Sequence, residues 1–132
     1  MAKPVPEEPE LEVTRVFHFP AAHQLRGVEG PCSRPHGHTF RLEITVAGRR
    51  EETGMVLDFS RLEELVRDRI LDRLDHSFLN EVMEENPTVE NLCLFIARRW
   101  EEDVAPLLPG LRLRRVEVWE SPFSSAALSF RS

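Results

Sequence analysis

From His36 to Val46 the sequence alternates without a break: His36, His38, Phe40, Leu42, Ile44 and Val46 fall on one side, Thr39, Arg41, Glu43 and Thr45 on the other. Successive side chains of a strand point to opposite faces, so this period of two commits the segment to a β-strand with one apolar face. It also places two imidazoles on that apolar side, where a polar ring needs a partner. Leu11 to Ala22 repeats the pattern, with Leu11, Val13, Phe17, Phe19 and Ala21 at odd positions and His23 continuing them. Gln24 to Pro35, between the two, carries two glycines and two prolines and no period, which predicts a loop.

After a polar turn over 47–53, Gly54-Met55-Val56-Leu57-Asp58-Phe59 leads into Ser60-Arg61-Leu62-Glu63. This capping-box spacing predicts a helix with Ser60 at its N-cap. Leu62, Leu65, Val66, Ile70 and Leu74 form its buried stripe, and it is expected to end near Asp75. Thr88 is the expected N-cap of a second helix, with Glu90 in its first turn and Val89, Leu92, Cys93, Ile96 and Trp100 on one face. Pro106 and Pro109-Gly110 close that helix, Leu111 to Glu120 alternates again, and Ala126 to Phe130 reads as a short partner strand. The order strand-strand-helix-helix-strand-strand predicts an α+β fold, a largely antiparallel four-stranded sheet with two helices packed on one face. Residues 1–10, with three prolines and three glutamates, are expected to be a flexible tail, and 11–132 a single domain.

The formal net charge of −6 argues against a nucleic-acid or anionic-membrane partner, which would need a concentrated basic face. No apolar run approaches the roughly 20 residues that span a bilayer, and the N-terminus lacks a secretory pattern, so a cytoplasmic protein is expected. In a reducing compartment Cys32 and Cys93 need not pair. Cys93, on the apolar helix stripe, is assigned to the core.

Three histidines are the strongest chemical signal. His36 and His38, two apart on a strand, point the same way, and a paired neighbouring strand could bring His23 alongside them. Three imidazoles bind Zn2+ and leave a fourth tetrahedral position open, the geometry of a catalytic site. His18, of opposite parity, is assigned to the surface. Cys32, four residues before His36, is a proton-transfer group, a fourth ligand that would close the site, or an unreactive loop thiol. Asp75-His76 is either a helix C-terminal contact or a carboxylate orienting an imidazole for proton transfer. Glu120 shares a face with Val116 and Val118, an awkward position for a carboxylate unless it is solvated at the strand end or grips adjacent N–H donors of a ligand ring.

Taken in order, Phe19-Pro20-Ala21-Ala22-His23, Cys32-Ser33-Arg34-Pro35-His36-Gly37-His38, Gly54-Met55-Val56-Leu57-Asp58-Phe59, Asp75-His76-Ser77-Phe78-Leu79-Asn80, Pro87-Thr88-Val89-Glu90-Asn91 and Glu120 resemble the 6-pyruvoyltetrahydropterin synthase family. The likeness spans nearly the whole chain after the tail. It implies a tunnelling fold, with homo-oligomeric assembly into trimeric barrels stacked as hexamers and active sites between subunits. It further implies Zn2+ on His23, His36 and His38, proton transfer by Cys32 with Asp75 and His76, and a pterin ring held by Glu120. The three-residue gap between Cys32 and His36 resembles the bacterial 6-carboxytetrahydropterin synthases, which turn 7,8-dihydroneopterin triphosphate into 6-carboxytetrahydropterin, acetaldehyde and triphosphate on the route to queuosine. Pyruvoyl formation on the same scaffold is the alternative, and a nonenzymatic domain with a structural zinc site is a second one. Arg26 and Arg34, in the loop beside the histidines, are the candidates for phosphate contacts, because guanidinium forks match phosphate oxygens. Ser121 stands where the family commonly has threonine and keeps the hydroxyl.

Overall fold

A computed structural model describes residues 2–131. β1 (Glu10–His23) and β2 (His36–Arg49) form a long antiparallel pair. α1 (Phe59–Val66) follows and runs on through a π-helical turn at Arg67–Leu71 and a final turn at Asp72–Leu74. β3 (Ser77–Phe78) and a single helical turn at Leu79–Val82 lead to α2 (Val89–Arg99), which continues as a π-helical turn at Trp100–Val104. β4 (Arg112–Ser121) and β5 (Ser124–Ser129) form a closing hairpin.

The sheet order is β3-β1-β2-β4-β5, so the sheet has five strands where four are expected from the sequence. The additional strand, β3, is two residues long and parallel to β1, pairing Ser77 with Ala21 and Phe78 with Ala22. Two residues are too short to show a period, which is why alternation in the sequence does not reveal it. β1 also starts one residue earlier than expected, because Glu10 is already in register with Arg49 and its carboxylate pairs with Arg112.

The first helix is capped by Asp58 rather than Ser60. The Asp58 carboxylate accepts the Ser60 amide at 2.8 Å, satisfying one of the orphan donors of the first turn. Glu63, expected to complete a capping box, pairs instead with Arg15 and Arg67, and these cations hold its carboxyl below the usual carboxylate range. The second helix matches expectation: Thr88 caps it by accepting the Asn91 amide at 3.1 Å.

Both helices cover the apolar sheet face. Phe17, Phe19, Phe40, Leu42 and Ile44 from the strands meet Leu62, Leu74, Leu92, Ile96 and Trp100 from the helices, all essentially without solvent exposure. Each such side chain contributes roughly 1.5–3 kcal/mol by leaving water, and these residues hold the layers together. Cys93 belongs to this core: its Sγ donates to the Ala126 carbonyl at 3.3 Å, and burial pushes the thiol up to about 11. No helix among the described residues is long and apolar enough to cross a membrane.

Candidate metal centre

The β1–β2 register decides the site. His23 lies directly opposite His36, and Ala21 opposite His38, so the odd face of one strand and the even face of the other deliver three imidazoles to one end of the sheet. The ring centroids are 4.5 Å apart for His23–His36, 5.1 Å for His23–His38 and 4.9 Å for His36–His38. One nitrogen from each ring lies within 4.8 Å of the others, close enough to share a metal ion. Phe40, stacked on Phe19, forms the floor, with its ring edge-on to both His23 and His38.

Hydrogen bonds to backbone carbonyls orient two of the rings. His23 Nδ1 donates to the Pro87 carbonyl at 2.8 Å and His36 Nδ1 to the Arg34 carbonyl at 2.7 Å. An Nδ1–H engaged in this way leaves the Nε2 lone pair free for a cation. The Nε2 atoms of His23 and His38 are buried and have no hydrogen-bond partner, a costly arrangement that an ion would relieve. Burial is also the main force lowering the pKa of both His23 and His38 from 6.5, which keeps them neutral and competent as ligands near pH 7. The donor set therefore fits a divalent cation of the zinc type, with three protein ligands and room for a fourth.

Glu120 reaches this group from β4. In the β4–β5 hairpin Trp119 pairs with Ser125 and Ser121 with Ser124, so Glu120 is the extra residue of a β-bulge. Its half-buried carboxylate, on the face of Val116 and Val118, lies near enough for its charge to raise the pKa of both His38 and His23 against the burial effect. Glu117, on the other face, is engaged by Ser125 and Arg115, whereas Glu120 has no such partner among the described residues.

Cys32 sits in a short 3-10 turn, Pro31–Ser33, of the β1–β2 loop. It is exposed and stands outside the histidine group, so among the described residues no cysteine joins the three imidazoles as a fourth donor. Arg34, at the end of the same turn, is exposed and contributes its carbonyl to His36. Arg26 is exposed too, and one guanidinium nitrogen donates to the Glu84 carbonyl at 2.9 Å.

Asp75 and His76 form a pair, with 2.9 Å between Asp75 Oδ1 and His76 Nδ1. The atoms are close but poorly aligned for a hydrogen bond, and Asp75 Oδ1 is otherwise without a partner. His76 adopts a left-handed backbone (φ 58°), unusual for a residue with a Cβ, while its amide donates to the Pro20 carbonyl at 2.7 Å. Its ring is largely exposed and borders a groove of about 500 Å³ with Pro20, Ala22, Gly37 and Thr39. The same groove is also lined by Ala21 and His38. A single chain thus assembles the three histidines and Glu120 but does not join the Asp75–His76 pair to Cys32 by any hydrogen bond among the described residues.

Sequence reasoning assigned no role to Asn80, Asn86 or the Pro87 carbonyl, which tie the β1 end and the following loop to the segment before α2. Asn80 and Pro87 lie within the segments that carry the family resemblance, yet no residue pattern marks a backbone acceptor.

A family model described as 6-pyruvoyl tetrahydropterin synthase matches residues 12–129. A 6-carboxy-5,6,7,8-tetrahydropterin synthase from Synechocystis sp. is 40% identical over 120 residues, covering 86% of this chain and 89% of that protein. A dihydroneopterin monophosphate aldolase from Pyrococcus furiosus is 41% identical over 103 residues, covering 77% of this chain and 82% of that protein. Among solved structures, the Caenorhabditis elegans 6-pyruvoyl tetrahydropterin synthase superposes with a TM-score of 0.78 at 24% identity, covering 93% of this chain and 97% of that one. With the match running from β1 to the end of β5, the chain belongs to the 6-pyruvoyl tetrahydropterin synthase family.

Proposed function

We propose that this protein is a zinc-dependent 6-carboxy-5,6,7,8-tetrahydropterin synthase, a lyase acting on 7,8-dihydroneopterin triphosphate and releasing 6-carboxytetrahydropterin, acetaldehyde and triphosphate. The observation that carries the reading is the three-histidine group, with the buried, unpartnered Nε2 atoms of His23 and His38, beside a Glu120 that has no partner among the described residues, in a chain 40% identical to a synthase of that name. Bound zinc supplies Lewis-acid polarisation of the substrate's side-chain oxygens. Glu120 accepts two parallel hydrogen bonds from the N–H edge of the pterin ring, fixing the side chain toward the histidines. Cys32 moves a proton at the substrate's side-chain carbon, and Asp75 orients His76 for the complementary transfer. Arg26 and Arg34 flank the loop and are the proposed phosphate contacts.

The same reading includes assembly, with a hexamer as its proposed form. β5 pairs only with β4, and β3 covers just two residues of β1, so both sheet edges offer free strand backbone to further copies. Placing the active site between subunits brings the Asp75–His76 pair of one copy to the Cys32 of another. Cytoplasmic location and a place in queuosine synthesis follow from the same assignment.

The Pyrococcus furiosus relative favours a second reading, retro-aldol cleavage of dihydroneopterin monophosphate. Purified zinc-loaded protein incubated separately with the triphosphate and the monophosphate separates the possibilities. Acetaldehyde with 6-carboxytetrahydropterin is the expected outcome. A 6-pyruvoyl product from the triphosphate would move the assignment to the pyruvoyl-forming branch, and turnover of the monophosphate alone would move it to the aldolase.

A further inference from the structure

The β1–β2 ladder stops at the His23–His36 pair, yet the chain immediately beyond it is not left to solvent. Asn80 Oδ1 accepts the Gln24 amide at 2.8 Å while Asn80 Nδ2 donates to the Gln24 carbonyl at 2.8 Å. A carboxamide carries the same donor and acceptor as a peptide group, so Asn80 extends β1 by one ladder pair with a side chain in place of a strand. Two residues on, Asn86 repeats the device: its Oδ1 accepts the Arg26 amide at 2.8 Å and its Nδ2 donates to the Arg26 carbonyl at 2.9 Å.

From Gln24 the hydrogen bonds continue into the turn that carries Cys32. Gln24 Nε2 donates to the Ser33 carbonyl at 2.8 Å, and the Leu25 amide donates to the Cys32 carbonyl at 2.9 Å. The Ser33 carbonyl is therefore held by the residue that Asn80 fixes, and the Cys32 carbonyl by Leu25, which lies between the Gln24 and Arg26 backbones that Asn80 and Asn86 bind. Asn80 itself has a firm base, because its neighbour Leu79 is fully buried in the core. An exposed loop of a dozen residues would otherwise sample many conformations, and a reacting group displaced by about 1 Å can cost roughly 100-fold in rate.

We propose that Asn80 is a positioning residue for Cys32, acting through the Gln24 backbone and side chain to hold the Pro31–Ser33 turn at the open end of the sheet. The proposal rests on the reading of Cys32 as a catalytic group. It assigns Asn80 no contact with substrate and no part in binding the metal.

The test uses zinc-loaded full-length protein bearing Asn80→Ala, Asn80→Asp or Gln24→Ala. Asn80→Ala is expected to lower kcat roughly 10- to 100-fold, the range typical of lost orienting hydrogen bonds, with KM and chelator-competed zinc affinity close to wild type. Deuterium uptake in a peptide spanning 24–35 should quicken by about tenfold while one spanning 40–46 is unchanged. Asn80→Asp retains the acceptor for the Gln24 amide and should recover part of the rate. Gln24→Ala, which removes only the side-chain contact to Ser33, should reproduce the kcat loss in milder form, and it carries the test if Asn80→Ala does not fold. A fall in melting temperature with kcat at the wild-type value would overturn the proposal, as would equal loss of zinc affinity and kcat. Full turnover by Cys32→Ala would instead defeat the catalytic reading of Cys32, leaving the deuterium-uptake result to judge the clamp on its own.

Discussion

His23 gives its Nδ1 proton to the carbonyl of Pro87 at 2.8 Å, a contact between the end of β1 and the residue just before the cap of α2. The bond joins the sheet layer to the helix layer at the point where the three histidines meet, and it fixes the tautomer that leaves His23 Nε2 free. Under the proposed zinc assignment, the packing of α2 becomes a condition for metal binding through this bond.

Replacing any one ligand should therefore empty the site. His36→Ala is expected to purify with less than a tenth of the wild-type zinc content and no measurable turnover, while retaining its far-ultraviolet circular dichroism, because two imidazoles no longer define a strong site. Metal analysis checks this, and stoichiometric zinc in His36→Ala would refute the ligand assignment.

The metal-free protein should lose stability as the pH drops below 6.5. Burial lowers the folded-state pKa of His23 and His38 from 6.5, so between the folded and unfolded values the unfolded chain binds more protons. Stability then rises with pH across that window and is lost as the pH falls through it. Melting temperatures of chelator-treated protein between pH 5 and 7.5 should show this slope, and His23→Gln should flatten it.

Glu120→Ala should leave zinc bound and raise KM for the pterin substrate roughly 10- to 100-fold, the value of a lost charge-assisted pair of hydrogen bonds. Unchanged KM in Glu120→Ala would exclude the carboxylate from the pterin contact.

The two cysteines should separate cleanly. Cys32→Ala is expected to keep its zinc and lose at least 100-fold in kcat, whereas alkylating reagents at pH 8 should modify Cys32 and spare Cys93, whose buried thiol is pushed up to about 11. Mass mapping of the modified peptides reads out the selectivity.

His76 tests strain against function. Its left-handed backbone should make His76→Val costly by about 1–3 kcal/mol, while His76→Gly, free of the Cβ clash, should fold about as stably as wild type. Both should be poorly active, and a His76→Gly protein with normal turnover would remove the imidazole from the mechanism.

Strand periodicity made most of this architecture legible. The alternation through Phe17 and Phe19 and through Phe40, Leu42 and Ile44 determines two strands with one buried face each, because a period of two leaves no other way to bury those side chains. The same parity puts His23, His36 and His38 on that face, and the helical stripe of Leu92, Cys93 and Ile96 puts Cys93 in the core. Ser60-Arg61-Leu62-Glu63 was a misleading local signal, since the Asp58 carboxylate reached the orphan amide first and Arg15 drew Glu63 away.

What the sequence by itself determined is which residues share a face, since side-chain direction along a strand is a local property of the backbone. Only the tertiary structure decided that His23 stands opposite His36 rather than one residue out of register. It alone introduced the two-residue strand β3 and the Asn80 and Pro87 contacts that hold the site. Each of these depends on hydrogen bonds between segments far apart in the chain, and hydrogen bonds to backbone groups leave no trace in side-chain pattern.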